Sequence, residues 1–172
     1  MLANVRKHSL QVANIAAQLA QRARSLGFAV DVATVRASAL LHDLAKTWCL
    51  KNGGSHALLG ASWSAQETRN FRLAQGVALH VHWPWPLPQD ASICSLPIFI
   101  IYADKRVRHD QAVSLDERFE DLLVRYGKTA EARAGIASSC QQAKEIEKLL
   151  SKYLKWNLNE NTFDSGRLVQ RT

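Results

Sequence analysis

The residues of this sequence best suited to chemistry are His42 and Asp43, which are neighbours near the end of an apolar segment. If that segment is a helix, Val35, Ala39 and His42 share one stripe and Asp43 lies beside it. A carboxylate at the rim of a buried face is costly unless a cation or hydrogen-bond donors meet it. Either His42 makes an ordinary hydrogen bond in the core and Asp43 caps a helix, or both side chains are metal ligands.

Further histidines and an acid on other predicted helices favour the metal. They are His8, His56, His80 and Asp104, each on or beside an apolar stripe. So many imidazoles and carboxylates converging on one core would carry a heavy desolvation cost without a cation. Imidazole and carboxylate together suit borderline divalent ions. We expect one or two such ions, iron first, with manganese, zinc, nickel or cobalt as alternatives, and Asp43 can bridge two ions through its two oxygens.

The elements that must position these residues are all predicted to be helices. Apolar residues recur at spacings of three and four, Asp31 and Ser95 can cap helices, and Ser114 with Glu117 forms a capping box. The predicted helices run over residues 3–26, 31–46, 56 onward, 70–82, 95 onward, 114–127 and 129–156, the last as one helix or two. No strand pattern is visible. The expected fold is all-α, a single bundle of about six to eight helices with the metal site in its core.

The chain has 172 residues, 47% of them hydrophobic, which is enough for one globular domain with an ample core. We assign that domain to residues 1–156 and a polar, frayed C-terminal tail to residues 157–172. The apolar runs fall short of the roughly 18–20 residues of a membrane span, and charges interrupt the N-terminus where a signal peptide would be apolar. The 3 cysteines fit no disulfide or zinc pattern. We therefore expect a soluble, cytoplasmic protein.

Positive charge points to a phosphate-bearing partner. The formal net charge is +7, which suits a nucleotide and a nucleic acid equally. Lys46 follows the His42–Asp43 pair by about one helical turn and is the first candidate to stabilise charge on a phosphate. The basic residues after Asp104 are Lys105, Arg106, Arg108 and His109. They can bind phosphate or form a solvated basic helix end that complements the helix dipole.

The ordered set His8, His42-Asp43 and Asp104 resembles the signature of the HD-domain superfamily of metal-dependent phosphohydrolases. The phrases LHDLAK at 41–46, HALLGA at 56–61 and IYADK at 101–105 resemble a small bacterial HD subgroup. Its characterised members include symmetrical diadenosine tetraphosphate hydrolases, and the resemblance covers about residues 3–126. The resemblance implies an HD-type helical domain that holds metal through these histidines and aspartates.

The same subgroup carries two additional histidines that hold a second metal ion. His56 matches the first by its context, and the second is His80 or His82. We choose His80, because it shares a helical stripe with Leu73 and Val77. The usual histidine-threonine phrase is replaced here by HVHWPW at 80–85. His82 is then a substrate contact or a surface histidine, and the two tryptophans of this rigid loop either stack on a base or form a lid.

The function that these residues predict is hydrolysis of a phosphate ester or anhydride in a nucleotide-type substrate by metal-activated water. Asp43 and Lys46 are the predicted catalytic residues. Lys46, His82, Lys105 and Arg106 are the predicted substrate-binding residues. The expected partner is a phosphorylated small molecule, foremost a nucleotide; nucleic acid is less favoured, a homodimer is left open, and no membrane is expected.

Two rival functions are compatible with the same ligand set. A non-catalytic regulatory module would retain the metal and bind a nucleotide or RNA without releasing phosphate. An HD-type di-iron oxygenase would cleave carbon bonds with four histidines and two aspartates. The surplus positive charge, Lys46 and the closer phrase resemblance argue against the oxygenase.

Overall fold

The computed structural model describes residues 2–159 and residue 163, and this part of the chain is an all-α bundle, as predicted. The helices are Ala3–Ser25 (α1), Val32–Leu41 (α2), Lys46–Asn52 (α3), His56–Thr68 (α4), Phe71–Leu79 (α5), Leu96–Lys105 (α6), Leu115–Tyr126 (α7) and Ala130–Leu154 (α8). A short 3-10 turn, Ala91–Ile93, precedes α6. Across the described residues, every helix is too short or too polar to cross a bilayer.

Helix α6 forms the centre of the bundle. Every residue from Pro97 to Lys105 is buried, because the helix is apolar on all sides and α1, α2, α5 and α8 pack around it. Asp104 is thereby carried into the core near the C-terminal end of this helix. Ser95 stands at the N-cap position as predicted, but its side chain makes no capping hydrogen bond.

Helix α1 lies against α2 and α6 along its apolar stripe. Val12, Ile15 and Leu19 are fully buried on that stripe, and Val5 is nearly so. His8 lies on the same face and is also buried, as its spacing predicts. The stripe therefore brings the His8 ring to Asp104 on α6, although the two residues are far apart in sequence.

Two helices end earlier than predicted, and in both cases a histidine ends them. Helix α2 was expected to run to Lys46 but stops at Leu41, and α5 was expected to reach His82 but stops at Leu79. In each case a histidine Nδ1 bonds the carbonyl three residues back, His42 to Ala39 at 2.6 Å and His80 to Val77 at 2.7 Å. A continuing α-helix would use that carbonyl for the N–H four residues on. Each ring therefore takes the place of the next helical hydrogen bond.

A close approach at Gly76 seats α5 against its neighbours. A Cβ on this residue would lie 2.2 Å from the Leu96 side chain of α6 and 3.0 Å from the Ser38 hydroxyl of α2. The Ser38 hydroxyl in turn donates to the Leu73 carbonyl of α5 at 2.9 Å. This tight contact fixes the end of α5, where His80 follows.

Two departures from the predicted fold follow α6. Val107–Arg108 (β1) and Gln111–Ala112 (β2) pair as a small antiparallel hairpin, although no strand was expected. Leu158 and Phe163, which fall in the predicted frayed tail, are buried in the core. Residues 160–162 and 164–172 lie outside the described residues, so the rest of that prediction and the domain boundary stay predictions. Residues 129–156 form one helix, α8.

Candidate metal centre

Six histidine and aspartate side chains converge where α1, α2, α4, α5 and α6 meet. They are His8 on α1, His42 and Asp43 in the turn after α2, His56 at the start of α4, His80 after α5, and Asp104 on α6. Two buried triads have ligand atoms within 4.8 Å of one another, one of His8, His42 and Asp104 and the other of His42, Asp43 and His80. The fold therefore brings all six predicted ligands together.

In the first half of the centre, His8 and His42 face Asp104. His8 Nε2 is 3.0 Å from Asp104 Oδ1, and His42 Nε2 is 3.8 Å from the same oxygen. The Nδ1 of His8 donates to the His109 carbonyl at 3.0 Å. A carbonyl can only accept, so in the neutral ring the Nε2 presents a lone pair to the carboxylate. Two acceptors this close require a cation or a proton between them.

In the second half, Asp43 faces three histidines. Its Oδ1 is 3.3 Å from His56 Nε2 and 3.8 Å from His80 Nε2, and its Oδ2 is 3.5 Å from His42 Nε2. The Nε2 atoms of His56 and His80 are 3.2 Å apart. The two oxygens of Asp43 thus face different histidines, which is the arrangement that a bridging carboxylate needs.

Two buried atoms at the middle of the cluster have no hydrogen-bond partner among the described residues. They are His42 Nε2 and Asp43 Oδ1. An orphaned buried acceptor costs free energy that a bound cation would recover. Ligands about 2.1 Å from one ion and at right angles to each other lie about 3 Å apart, close to the separations seen here. The donor set therefore fits a divalent transition metal.

Burial keeps His42, His56 and His80 neutral. It lowers the pKa of His80 to about 3 and outweighs the nearby carboxylates at His42 and His56, whose pKa values are also lowered. The Nδ1 bonds of His42 and His80 place the remaining lone pair on Nε2, toward the centre. These rings are thus in the protonation state that metal binding requires at neutral pH.

Both aspartates stay ionised although they are buried. Burial alone would raise the pKa of Asp104, but Lys105 and His8 hold it well below the usual value. Burial would likewise raise the pKa of Asp43, but the Lys46 ammonium, which donates to its Oδ2, lowers it. The centre therefore carries two negative charges suited to a cation.

The residues predicted to contact substrate lie in different environments. Lys46 Nζ donates to Asp43 Oδ2 at 2.6 Å, and its side chain is 39% exposed. Lys105 Nζ donates to Asp104 Oδ2 at 2.7 Å, but its side chain is 11% exposed. Lys105 is thus a buried counter-charge to Asp104, and its predicted contact with substrate stays a prediction. His82 is exposed and lies outside both triads, whereas His80 is buried within one of them.

Arg106, a predicted substrate-binding residue, is enclosed in the core. Its guanidinium is 1% exposed, so it cannot reach a ligand in solvent. Its Nε donates to the Val113 carbonyl at 2.7 Å, and its Nη1 bonds the Tyr102 hydroxyl at 2.5 Å and the Leu158 carbonyl. The basic run after Asp104 gives no sign of this burial, because most of the residues that enclose Arg106 lie elsewhere in the sequence, in the hairpin, on α8 and near Leu158.

Sequence reasoning missed the backbone groups that orient the ligands. The carbonyls of Ala39, Val77 and His109 accept from the Nδ1 atoms of His42, His80 and His8. Every residue has a backbone carbonyl, so the residue types do not show which carbonyls bind a ligand ring. For His42 and His80, the spacing of three residues within a turn is one local clue.

Comparison with known proteins agrees with this geometry. The family model described as HD domain matches residues 5–109. The chain belongs to the HD domain family. This confirms the predicted superfamily, and the HD domain is associated with metal-dependent phosphohydrolases. The matched range includes all six residues of the cluster.

Two curated proteins resemble part of this HD domain chain. A ribonuclease Y of Protochlamydia amoebophila is 34% identical over 92 residues, which is 54% of this chain and 17% of that protein. A ribonuclease Y of Rubrobacter xylanophilus is 37% identical over 79 residues, which is 46% of this chain and 14% of that protein. The chain thus spans about a sixth of the length of these relatives. No solved structure matched significantly. The diadenosine tetraphosphate subgroup stays a prediction.

Proposed function

We propose that this HD domain is a metal-dependent phosphohydrolase that cleaves a phosphate ester or anhydride in a nucleotide-type substrate. The observation that carries the proposal is a pair of buried atoms without a hydrogen-bond partner among the described residues, His42 Nε2 and Asp43 Oδ1, in a cluster with two ionised carboxylates, Asp43 and Asp104. His8, His42 and Asp104 would hold one ion, and Asp43, His56 and His80 a second. An ion bound there would acidify a water molecule and polarise a phosphoryl oxygen.

The chain's own residues would bind and orient the phosphate. Of the two lysines bound to the aspartates of the cluster, Lys46 is the more exposed, so its ammonium can turn from Asp43 toward a phosphoryl oxygen. A cation at that point would stabilise the negative charge that develops on the phosphate and its leaving group. Asp43 would orient the attacking water by accepting a hydrogen bond from it, or would accept its proton.

The net charge of +7 supports a polyphosphate substrate, since a positive surface attracts anions over several ångströms. His82 and the Trp83–Trp85 segment follow the proposed ligand His80 directly. Trp85 is 56% exposed, and its ring lies 5.0 Å from the Trp83 ring. An exposed indole in the segment that follows His80 would suit stacking on a nucleobase.

The test is a metal analysis of protein purified without chelator, paired with a phosphate-release screen over mono-, di- and dinucleoside polyphosphates. We expect one to two equivalents of transition metal and turnover of one nucleotide class. Asp43→Ala should lose both bound metal and turnover, whereas Asp116→Ala, which removes an exposed carboxylate on α7, should lose neither. Full turnover by metal-stripped Asp43→Ala would overturn the proposal.

A second candidate substrate is an RNA phosphodiester, which the names of the two ribonuclease Y relatives favour. Short labelled RNA oligonucleotides belong in the same screen for this reason. Cleavage of RNA without release from nucleotides would select the phosphodiester. Metal with tight nucleotide binding but no turnover would select the regulatory module. Oxygen consumption by the iron-loaded protein, with no phosphate release with iron, manganese or cobalt, would select the oxygenase.

A further inference from the structure

The proposed ligand His8 is held by a strained turn. The two-residue turn between β1 and β2 is His109–Asp110, and His109 adopts φ 59°. A positive φ is costly for a side chain with a Cβ and is usually supplied by glycine in a tight hairpin. The His109 side chain is exposed, so it is the backbone carbonyl that contacts His8 Nδ1, at 3.0 Å. Strain of this kind at a ligand contact points to a positioning role.

The hairpin that carries this turn is fastened at its base by Arg106. Its Nε donates to the Val113 carbonyl at 2.7 Å, and its own carbonyl accepts from the Val113 N–H at 2.8 Å. Val113 directly follows β2, and Arg106 directly precedes β1, so these bonds close the hairpin. The Arg106 guanidinium thus supplies a hydrogen bond that a backbone N–H would supply in a third pair of strand residues.

The C-terminal segment closes over the same guanidinium. Nη1 of Arg106 bonds the Leu158 carbonyl, and the Phe163 ring lies 5.0 Å from its central carbon. Tyr102 and Glu147 complete the surroundings from α6 and α8, at 2.5 Å and 3.4 Å from Nη1. A continuous series of contacts therefore links the C-terminal segment, Arg106, the hairpin and His8.

We propose that Arg106 is a positioning residue for the metal ligand His8. It fixes the hairpin whose His109 carbonyl sets the tautomer and orientation of the His8 ring, and Leu158 and Phe163 keep Arg106 in place. Partners of this kind make a histidine ligand more effective by holding it in the binding geometry. The inference rests on the proposed metal site.

The first test measures Mn²⁺ affinity by calorimetry on the metal-stripped protein with all 172 residues. Arg106→Lys retains the charge but not the fork of donors, so we expect affinity to fall about tenfold or more. In a His8→Ala background the same change should have little further effect, because a residue that acts through His8 cannot act when His8 is gone. Arg125→Lys, which alters a half-exposed ion pair on α7, is the matched control and should leave affinity unchanged.

A second pair of variants keeps the test decisive if Arg106→Lys does not fold. His109→Gly favours the positive φ and keeps the carbonyl, so Mn²⁺ affinity should be retained. His109→Val resists that φ and should weaken binding several-fold, with unchanged helical content by circular dichroism.

The outcomes separate the two proposals. If His8→Ala lowers Mn²⁺ affinity but Arg106→Lys and His109→Val do not, the metal site stands and the positioning role is wrong. The positioning role is equally wrong if Arg106→Lys costs as much in the His8→Ala background as in the native chain. If His8→Ala itself leaves Mn²⁺ affinity unchanged, His8 is not a ligand and both assignments fail.

Discussion

Asp43 and Asp104 are each held by a lysine through Oδ2, and the Oδ1 of each faces histidines of the cluster. The Oδ2 of Asp43 also lies 3.5 Å from His42 Nε2. The Lys46 bond to Asp43 is 2.6 Å long and the Lys105 bond to Asp104 is 2.7 Å long. The two lysines differ in their surroundings, since Lys46 begins α3 at the rim and Lys105 ends the buried helix α6. One lysine–aspartate ion pair thus lies at the solvent-exposed rim and the other lies in the core.

This difference in solvent exposure implies different roles for the two lysines. An ammonium in the core cannot leave its carboxylate without leaving a buried charge uncompensated, which is strongly destabilising. An ammonium at the rim can exchange one oxygen for another at little cost, because water screens it in either position. Lys105 therefore stabilises the folded centre, and Lys46 is available to a substrate.

Matched methionine substitutions would test this comparison most directly. Lys105→Met should lower the free energy of unfolding of the metal-free protein by about 3 kcal/mol, and Lys46→Met by about 1 kcal/mol or less. Turnover should show the reverse order, with Lys46→Met more affected than Lys105→Met. The expected loss in Lys46→Met is about a hundredfold, the scale for one group that stabilises transition-state charge. Urea unfolding and steady-state kinetics measure the two effects, and equal stability losses at the two sites would contradict the assignment.

Lowering the pH should destabilise the folded, metal-free protein through His80, which lies in the Asp43 half of the centre. The folded pKa of His80 is lowered from 6.5 to about 3, so the unfolded state binds the proton more readily. This contribution to stability is full above pH 6.5 and is lost as the pH falls toward 3, at up to about 1.4 kcal/mol per pH unit. His42 and His56, with lowered pKa values, act in the same direction.

A variant of His80 isolates its share of that loss. His80→Asn can still donate to the Val77 carbonyl but cannot titrate. Unfolding of metal-free protein between pH 7 and pH 4 should therefore depend less steeply on pH in this variant than in the native chain. An unchanged slope would show that His80 is not buried in its neutral form.

The sequence was sufficient where a pattern of side chains carries the information. The stripe of α1 placed His8 in the core, Asp31 caps α2, and Ser114 forms its capping box with Glu117. Each of these features depends on local spacing, which the sequence displays. The convergence of six polar residues on one core followed from the same periodicity, because one helical face can pack in only one direction.

Features that depend on the tertiary structure could not be predicted in this way. Helices α2 and α5 end early because the rings of His42 and His80 take backbone carbonyls, and the rings are held there by the cluster itself. Arg106 resembles a solvated helix end in sequence, yet the hairpin and Leu158 enclose it. Neither contact can be inferred from the identity of the neighbouring residues.

The smallest predicted effect concerns His82, which the sequence alone could not separate from His80. The structure places His80 beside Asp43 and leaves His82 exposed two residues later.

His80→Ala should reduce Mn²⁺ affinity by about tenfold to a hundredfold as a ligand of the Asp43 half is lost. His82→Ala should leave it within about twofold, the usual range for a surface substitution. Calorimetry on both variants decides the assignment, and the Michaelis constant of His82→Ala then shows whether the exposed ring contacts substrate. A fall in Mn²⁺ affinity for His82→Ala with none for His80→Ala would reverse the choice and remove His80 from the centre.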